Sequence, residues 1–210
     1  MCTLLPRLVL AILALTVTGE VFAHHPMGGG LPATAWQGLL SGLGHPVIEV
    51  DHLVFLLGAA VAAAAARLRT RLALVLLPSY VLAGALATAL RAPGLEIPFI
   101  EAGVVLSLGA VAAWLWVQRM PGALAGALLA VLGGFIHGYA YGEAVIGSEA
   151  TPLAAYLAGL ALVQSLLLIA VWRGARWLAA LVPAHVCAAA RALGALLGVT
   201  AFWGGLSLLA

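Results

Sequence analysis

Within eight residues, His45-Pro46-Val47-Ile48-Glu49-Val50-Asp51-His52 brings together two imidazoles and two carboxylates. Imidazole with carboxylate and no thiolate suits borderline divalent ions such as Ni²⁺, Co²⁺ or Zn²⁺, whereas carboxylates alone favour harder ions. Pro46 fits the first turn of a helix. A regular helix from there puts His45, Glu49 and His52 on one face, with His52 roughly 10 Å deeper than His45 at about 1.5 Å per residue. Asp51, the chain's one aspartate, then points about a third of a turn away, placed to orient an imidazole.

Other candidates are scattered along the chain. Glu101 sits in Pro98-Phe99-Ile100-Glu101-Ala102-Gly103, and His137 in Gly134-Phe135-Ile136-His137-Gly138-Tyr139-Ala140-Tyr141-Gly142. Either could also serve structure alone, His137 as a hydrogen-bond partner and Glu101 as a helix cap. His24 and His25 could form an outer capture site with a free amine, once that amine deprotonates. His185 reads as interfacial, and Tyr139 and Tyr141 as aromatics of the membrane–water belt or as walls of the site. Cys187 reads as a small buried residue, and Cys2 lies too far away in the chain's organisation for a disulfide.

The elements that must position these residues follow from composition. Hydrophobic residues make up 65% of the 210-residue chain, charged residues 8%, and the mean hydropathy is +1.17. A soluble domain carries about 25% charge, so this surface suits lipid as its solvent. All nine basic residues are arginines, and the net charge of +2 gives no reason to expect nucleic acid. Residues 1–23 read as a cleaved secretory signal. Arg7 is its positive start, Leu8 to Val17 its apolar stretch and Val21-Phe22-Ala23 its cleavage site.

Residues 24–210 then read as a single all-α transmembrane domain. After a Gly-rich turn at Met27–Pro32, six apolar stretches approach the roughly 20 residues a bilayer requires. They are 45–66, 72–90, 98–117, 122–142, 152–172 and 192–210. Trp177–Ala190, with Pro183 inside it, reads as an interfacial helix or an early start to the last span. With the mature N-terminus outside, Arg67, Arg69, Arg71, Arg119, Arg173, Arg176 and Arg191 fall inside and only Arg91 outside. That obeys the positive-inside rule for a bacterial inner membrane. His45, Glu101 and His137 then lie near the outer surface. Gly122/Gly126, Gly134/Gly138/Gly142 and Gly194/Gly198 recur at four-residue spacing, the mark of close helix approach in lipid.

The His45–His52 run resembles the HupE/UreJ family of nickel and cobalt permeases. Glu101-Ala102-Gly103-Val104-Val105-Leu106-Ser107 and Phe135-Ile136-His137-Gly138 match two further family motifs, and the likeness covers essentially the whole chain. It implies uptake of Ni²⁺ or Co²⁺ as cargo, with no tightly bound cofactor and a link to hydrogenase, urease or cobalamin maturation. It implies functional roles for His45, Asp51, His52, Glu101 and His137. The chain departs from the family at Tyr139 and Tyr141, where many members have histidines, at Glu49, where they have glycine, and at Gln164, where a histidine is common.

A permease is the leading reading, with divalent metal and the bilayer as partners and a homo-oligomer left open. A zinc-dependent intramembrane hydrolase is the alternative from another class, with Glu49, Glu101 or Asp51 as base. A non-transporting metal-binding accessory or sensor protein is the third. Tightly held zinc would favour the hydrolase, and binding without flux the accessory role.

Overall fold

The computed structural model describes residues 30–119 and 122–208; the expected signal sequence, His24 and His25 lie outside them. Among the described residues every long element is a helix: α1 (Ala35–Ile48), α2 (Val50–Ala65), α3 (Thr70–Arg91), α4 (Ile100–Val117), α5 (Ala123–Tyr141), α6 (Ala150–Leu181) and α7 (Pro183–Ser207). A 3₁₀ turn, Gly142–Val145, continues α5. Five of these segments are long and apolar enough to cross a membrane. The sixth candidate is α1 with α2, bent by 73° at Glu49. This is the expected polytopic all-α bundle. Its flanks are apolar, with Leu82 69% and Leu106 73% exposed, as a lipid-facing surface requires.

The first span differs from the expected regular helix over 45–66. It begins ten residues earlier, where Thr34 caps α1: its side chain accepts from Gln37 N, and the Gln37 side chain accepts from Thr34 N. That reciprocal pairing is a capping box. Pro46 is therefore in the last turn of α1, not the first turn of a span. It gives Gly42 O no helical donor. Around it Val47, Ile48 and Val50 are β-branched and hold a helix weakly. Glu49 leaves the helical region altogether, at φ −82° and ψ 110°. At the other end of the chain, Trp177–Leu181 extends α6 and Pro183 starts α7, so Pro183–Ala190 is the expected early start to the last span, with no separate interfacial helix.

Glycines set the helix pairs that frame the site. Gly134, Gly138 and Gly142 of α5 and its end meet Tyr80, Gly84 and Arg91 of α3 in turn, so the two helices run parallel and touch backbone to backbone. Thr88 Oγ1 lies 2.6 Å from Gly138 O and 3.0 Å from Gly84 O, bridging that crossing. Gly38 and Gly42 of α1 meet the Pro152 and Tyr156 backbone, and Gly159 meets Leu39 and Leu43. Hence α1 lies along the start of α6. Gly194 packs on Ala112, Leu115 and Trp116 of α4, while Gly198 has open space around it. Arg176 Nη1 donates to Leu68 O at 2.9 Å, which ties the α2–α3 turn to the far half of α6. The bundle thus has a Tyr141 end and a Leu68 end.

Candidate metal site

Glu49, the residue that breaks the helix, is the centre of the polar cluster. Its Oε1 lies 2.7 Å from His45 Nε2 and its Oε2 3.0 Å from His52 Nε2. One imidazole comes from the last turn of α1 and the other from the first turn of α2. The expected sharing of a face by His45, Glu49 and His52 is therefore realised across a bend, and the depth difference expected of a straight helix does not apply. Asp51 is nearer the cluster than a regular helix would place it. Its Oδ1 accepts from His52 N at 2.8 Å and lies 3.7 Å from His52 Nδ1. Ligand atoms of Glu49, Asp51 and His52 all fall within 4.8 Å of one another, close enough to hold one ion.

Two arms extend from this centre. His52 Nδ1 meets His137 Nδ1 at 2.8 Å, and His137 Nε2 meets Ser107 Oγ at 2.8 Å. On the other side His45 Nδ1 meets the Tyr156 hydroxyl at 2.5 Å. His45, His52 and His137 are all buried, at 2%, 3% and 0% exposure. With Glu49 ionised, the Nε2–H of each neighbouring imidazole can donate to one of its oxygens. The remaining bonds, His45 Nδ1 with the Tyr156 hydroxyl, His52 Nδ1 with His137 Nδ1 and His137 Nε2 with the Ser107 hydroxyl, take their direction from the tautomer of each ring.

The outer ends of both arms have a second acceptor. Ser107 Oγ lies 2.7 Å from Val104 O, and the Tyr156 hydroxyl 3.0 Å from Tyr141 O. Each hydroxyl can therefore donate to its carbonyl and accept from an imidazole N–H, or donate to the imidazole. In the tautomer that carries the hydrogen on Nδ1, the Nε2 lone pair of His45 or His52 faces the Glu49 region, the state in which imidazole ligates a metal.

Of the two places expected for Tyr141, membrane interface or wall of the site, it takes the second. It is wholly buried, with its ring 5.0 Å from that of His45 and 4.3 Å from that of His52. Tyr139 is also buried; its hydroxyl donates to Leu95 O and Arg91 sits over its ring at 5.4 Å. Phe55 closes the other side, 4.0 Å from the His137 ring.

Glu101 is exposed in the first turn of α4. With Glu96, Glu143 and Arg91 it lines a cavity of about 680 Å³ at the Tyr141 end. His185 is exposed at the start of α7, outside the cluster, and Cys187 is a free, half-buried thiol. Sequence reasoning had no role for Tyr156, and Ser107 appeared only as part of a motif. Nothing local marks Tyr156, which stands 111 positions from His45.

The family model for HupE / UreJ proteins matches residues 11–203. The chain belongs to the HupE/UreJ family. No curated protein and no solved structure matches it. In this HupE/UreJ chain, each of the three motifs that carry the likeness supplies a member of one connected network: His45 and His52, Ser107, and His137.

Proposed function

We propose that this protein is an inner-membrane permease that takes up Ni²⁺ or Co²⁺ through the Glu49 site, with the mature N-terminus and the Tyr141 end facing the periplasm. One observation carries the reading: a carboxylate at the break of a bent membrane helix is shared by two buried imidazoles. Ionisable groups inside a bilayer cost about 2.5–3.5 kcal/mol each on insertion scales, so a cluster of them calls for a common ligand. Broken helices at membrane depth recur where transporters bind ions, because the free helix ends can reorient.

The cavity at the Tyr141 end, with three glutamates and one arginine, draws cations toward the mouth. Arginines 67, 69, 71, 119, 173, 176 and 191 lie toward the other end, as a cytoplasmic face would have them. Carboxylate and imidazole ligands exchange readily, which suits passage better than permanent retention, and the family likeness points the same way. Links to hydrogenase, urease or cobalamin maturation follow from that likeness as well.

The test is uptake of radioactive Ni²⁺ and Co²⁺ by cells expressing wild type, Glu49→Gln and His52→Ala, with membrane insertion checked in parallel. Uptake of either ion that both substitutions abolish is the expected result. Equal uptake in all three strains sinks the site. Purified protein holding stoichiometric zinc, with no flux in proteoliposomes, transfers the assignment to a hydrolase or an accessory protein.

A further inference from the structure

Between α4 and α5 the lipid-facing side of the bundle is recessed. The cavity there has a volume of about 530 Å³, is also lined by α2 and α3, and is walled almost wholly by apolar side chains. Small residues make the room, Ala59 and Ala63 on α2 and Ala125, Gly126 and Ala130 on α5. Its rim is exposed, with Leu106 at 73%, Leu128 at 50% and Leu132 at 54%. The lining runs from Gly103 to Trp114 along α4 and from Ala125 to Ile136 along α5. Each stretch advances about 16 Å at about 1.5 Å per residue. That is close to one leaflet, half of a hydrocarbon core about 30 Å thick. Toward the Tyr141 end α4 and α5 meet, since a Cβ on Gly103 would stand 3.2 Å from Ile136 Cγ2.

The opposite end of the recess is basic. Leu68, part of its lining, lies between Arg67 and Arg69, with Arg71 just beyond and Arg119 in the turn that joins α4 to α5; all four arginines are exposed. The sequence holds no Asp or Glu over 52–95, 102–142 or 150–210. Among the described residues no ion pair engages these four. Trp116 and Trp177, 56% and 65% exposed at the same end, mark the level where headgroups begin. A row of unpaired arginines at that level attracts an anionic headgroup.

We infer that this groove binds one anionic phospholipid, from the leaflet at the Leu68 end. One acyl chain lies in the recess between α4 and α5, and the headgroup phosphate sits against Arg67, Arg69 and Arg119. A zwitterionic lipid brings the same chains without the net charge, so headgroup charge decides the preference. The site goes beyond the permease reading and does not rest on it. Its far end reaches Ser107 and Phe55, which both touch His137, so the bound chain packs against the outer arm of the Glu49 cluster.

The experiment purifies the whole protein in neutral detergent and titrates it with phosphatidylglycerol or phosphatidylcholine of identical chains. Native mass spectrometry counts lipids and chains. Brominated acyl chains locate the lipid by quenching Trp114, read as the difference between wild type and Trp114→Phe. Wild type is expected to retain one phosphatidylglycerol per chain, at least about tenfold tighter than phosphatidylcholine, with Trp114 quenched. Each arginine near an anionic surface contributes about fivefold, so Arg67→Gln/Arg69→Gln/Arg119→Gln should weaken phosphatidylglycerol by about a hundredfold and leave phosphatidylcholine unchanged. Ala130→Phe fills the recess and should abolish both the retained lipid and the quenching. Equal affinity for the two lipids in wild type overturns the inference, as does undiminished preference in the triple arginine variant, which alters only exposed side chains. Unquenched Trp114 with lipid bound places the lipid elsewhere and overturns it too. A lipid-free dimer that Ala130→Phe splits makes the recess an interface between two copies of this chain and overturns it in favour of that partner.

Discussion

Substituting one glycine should test whether helix packing places the metal site. In Gly138→Ala the new Cβ would stand 2.6 Å from the Gly84 carbonyl carbon and nearer still to its oxygen and Cα. Carbon atoms in contact rest about 3.5–4.0 Å apart, and all three obstacles are backbone. The α3–α5 crossing must therefore open by about an ångström, at the upper part of the roughly 1–3 kcal/mol typical of overpacking. The Thr88 bond to Gly138 O, 2.6 Å long, is strained by the same movement. His137 precedes Gly138 and moves with it. An added ångström takes its 2.8 Å contact with His52 past hydrogen-bond range. Losing such an outer partner costs about 10–100-fold in metal affinity.

The assay pairs size-exclusion thermostability in detergent with metal binding and uptake. Gly198→Ala is the control, since open space surrounds Gly198 inside α7. It should be neutral or gain up to about 1 kcal/mol, because alanine loses less freedom than glycine in a helix. A Gly138→Ala protein as stable and as tightly binding as wild type refutes the link between the glycine crossing and the site.

Three further outcomes are expected. Tyr156→Phe removes the hydroxyl beside His45 Nδ1 and should weaken metal binding by about 10–100-fold, with Ser107→Ala doing the same through His137; isothermal titration decides, and unchanged affinity in both removes the two arms from the mechanism. Asp51→Asn keeps an acceptor for His52 N and should cost about tenfold or less in affinity, well under the loss in Glu49→Gln. A cysteine in place of Thr70, beside the arginine-rich turn, should react with impermeant maleimide only after cell lysis; labelling in intact spheroplasts would reverse the orientation.

Much of the fold was legible because lipid as solvent leaves few choices. An apolar chain whose backbone must satisfy itself in a bilayer forms helices of spanning length; Arg67, Arg69 and Arg119 mark turns between them, while Arg173, Arg176 and Arg191 lie within α6 and α7. The glycine spacing at Gly134, Gly138 and Gly142 was legible as close helix packing, but spacing alone does not decide it: Gly122 and Gly198 share the pattern and meet no neighbour. The start of the first span was misplaced although its signal was present. Thr34-Ala35-Trp36-Gln37 is a capping box, and Gly38 with Gly42 continues the four-residue spacing that lays α1 on α6.

The site was legible as a set of residue types and illegible as geometry. Periodicity predicts a shared face for His45, Glu49 and His52 only if the helix continues, and Glu49 is where it stops. A straight helix holds residues three and four apart at neighbouring positions, but its own backbone bonds then occupy the groups around them. The 73° bend turns the end of α1 and the start of α2 toward one carboxylate from two directions, so each imidazole can face it through Nε2 and keep Nδ1 for an outer partner. No local pattern encodes those partners, since Tyr156 stands 111 positions from His45, and His137 stands 85 from His52. They meet because Gly42 and Gly138 let α6 and α3 come close enough to hold the two arms in place. A residue that ends a helix inside a membrane, and carries charge, is thus better read as the centre of a site than as one point on a face.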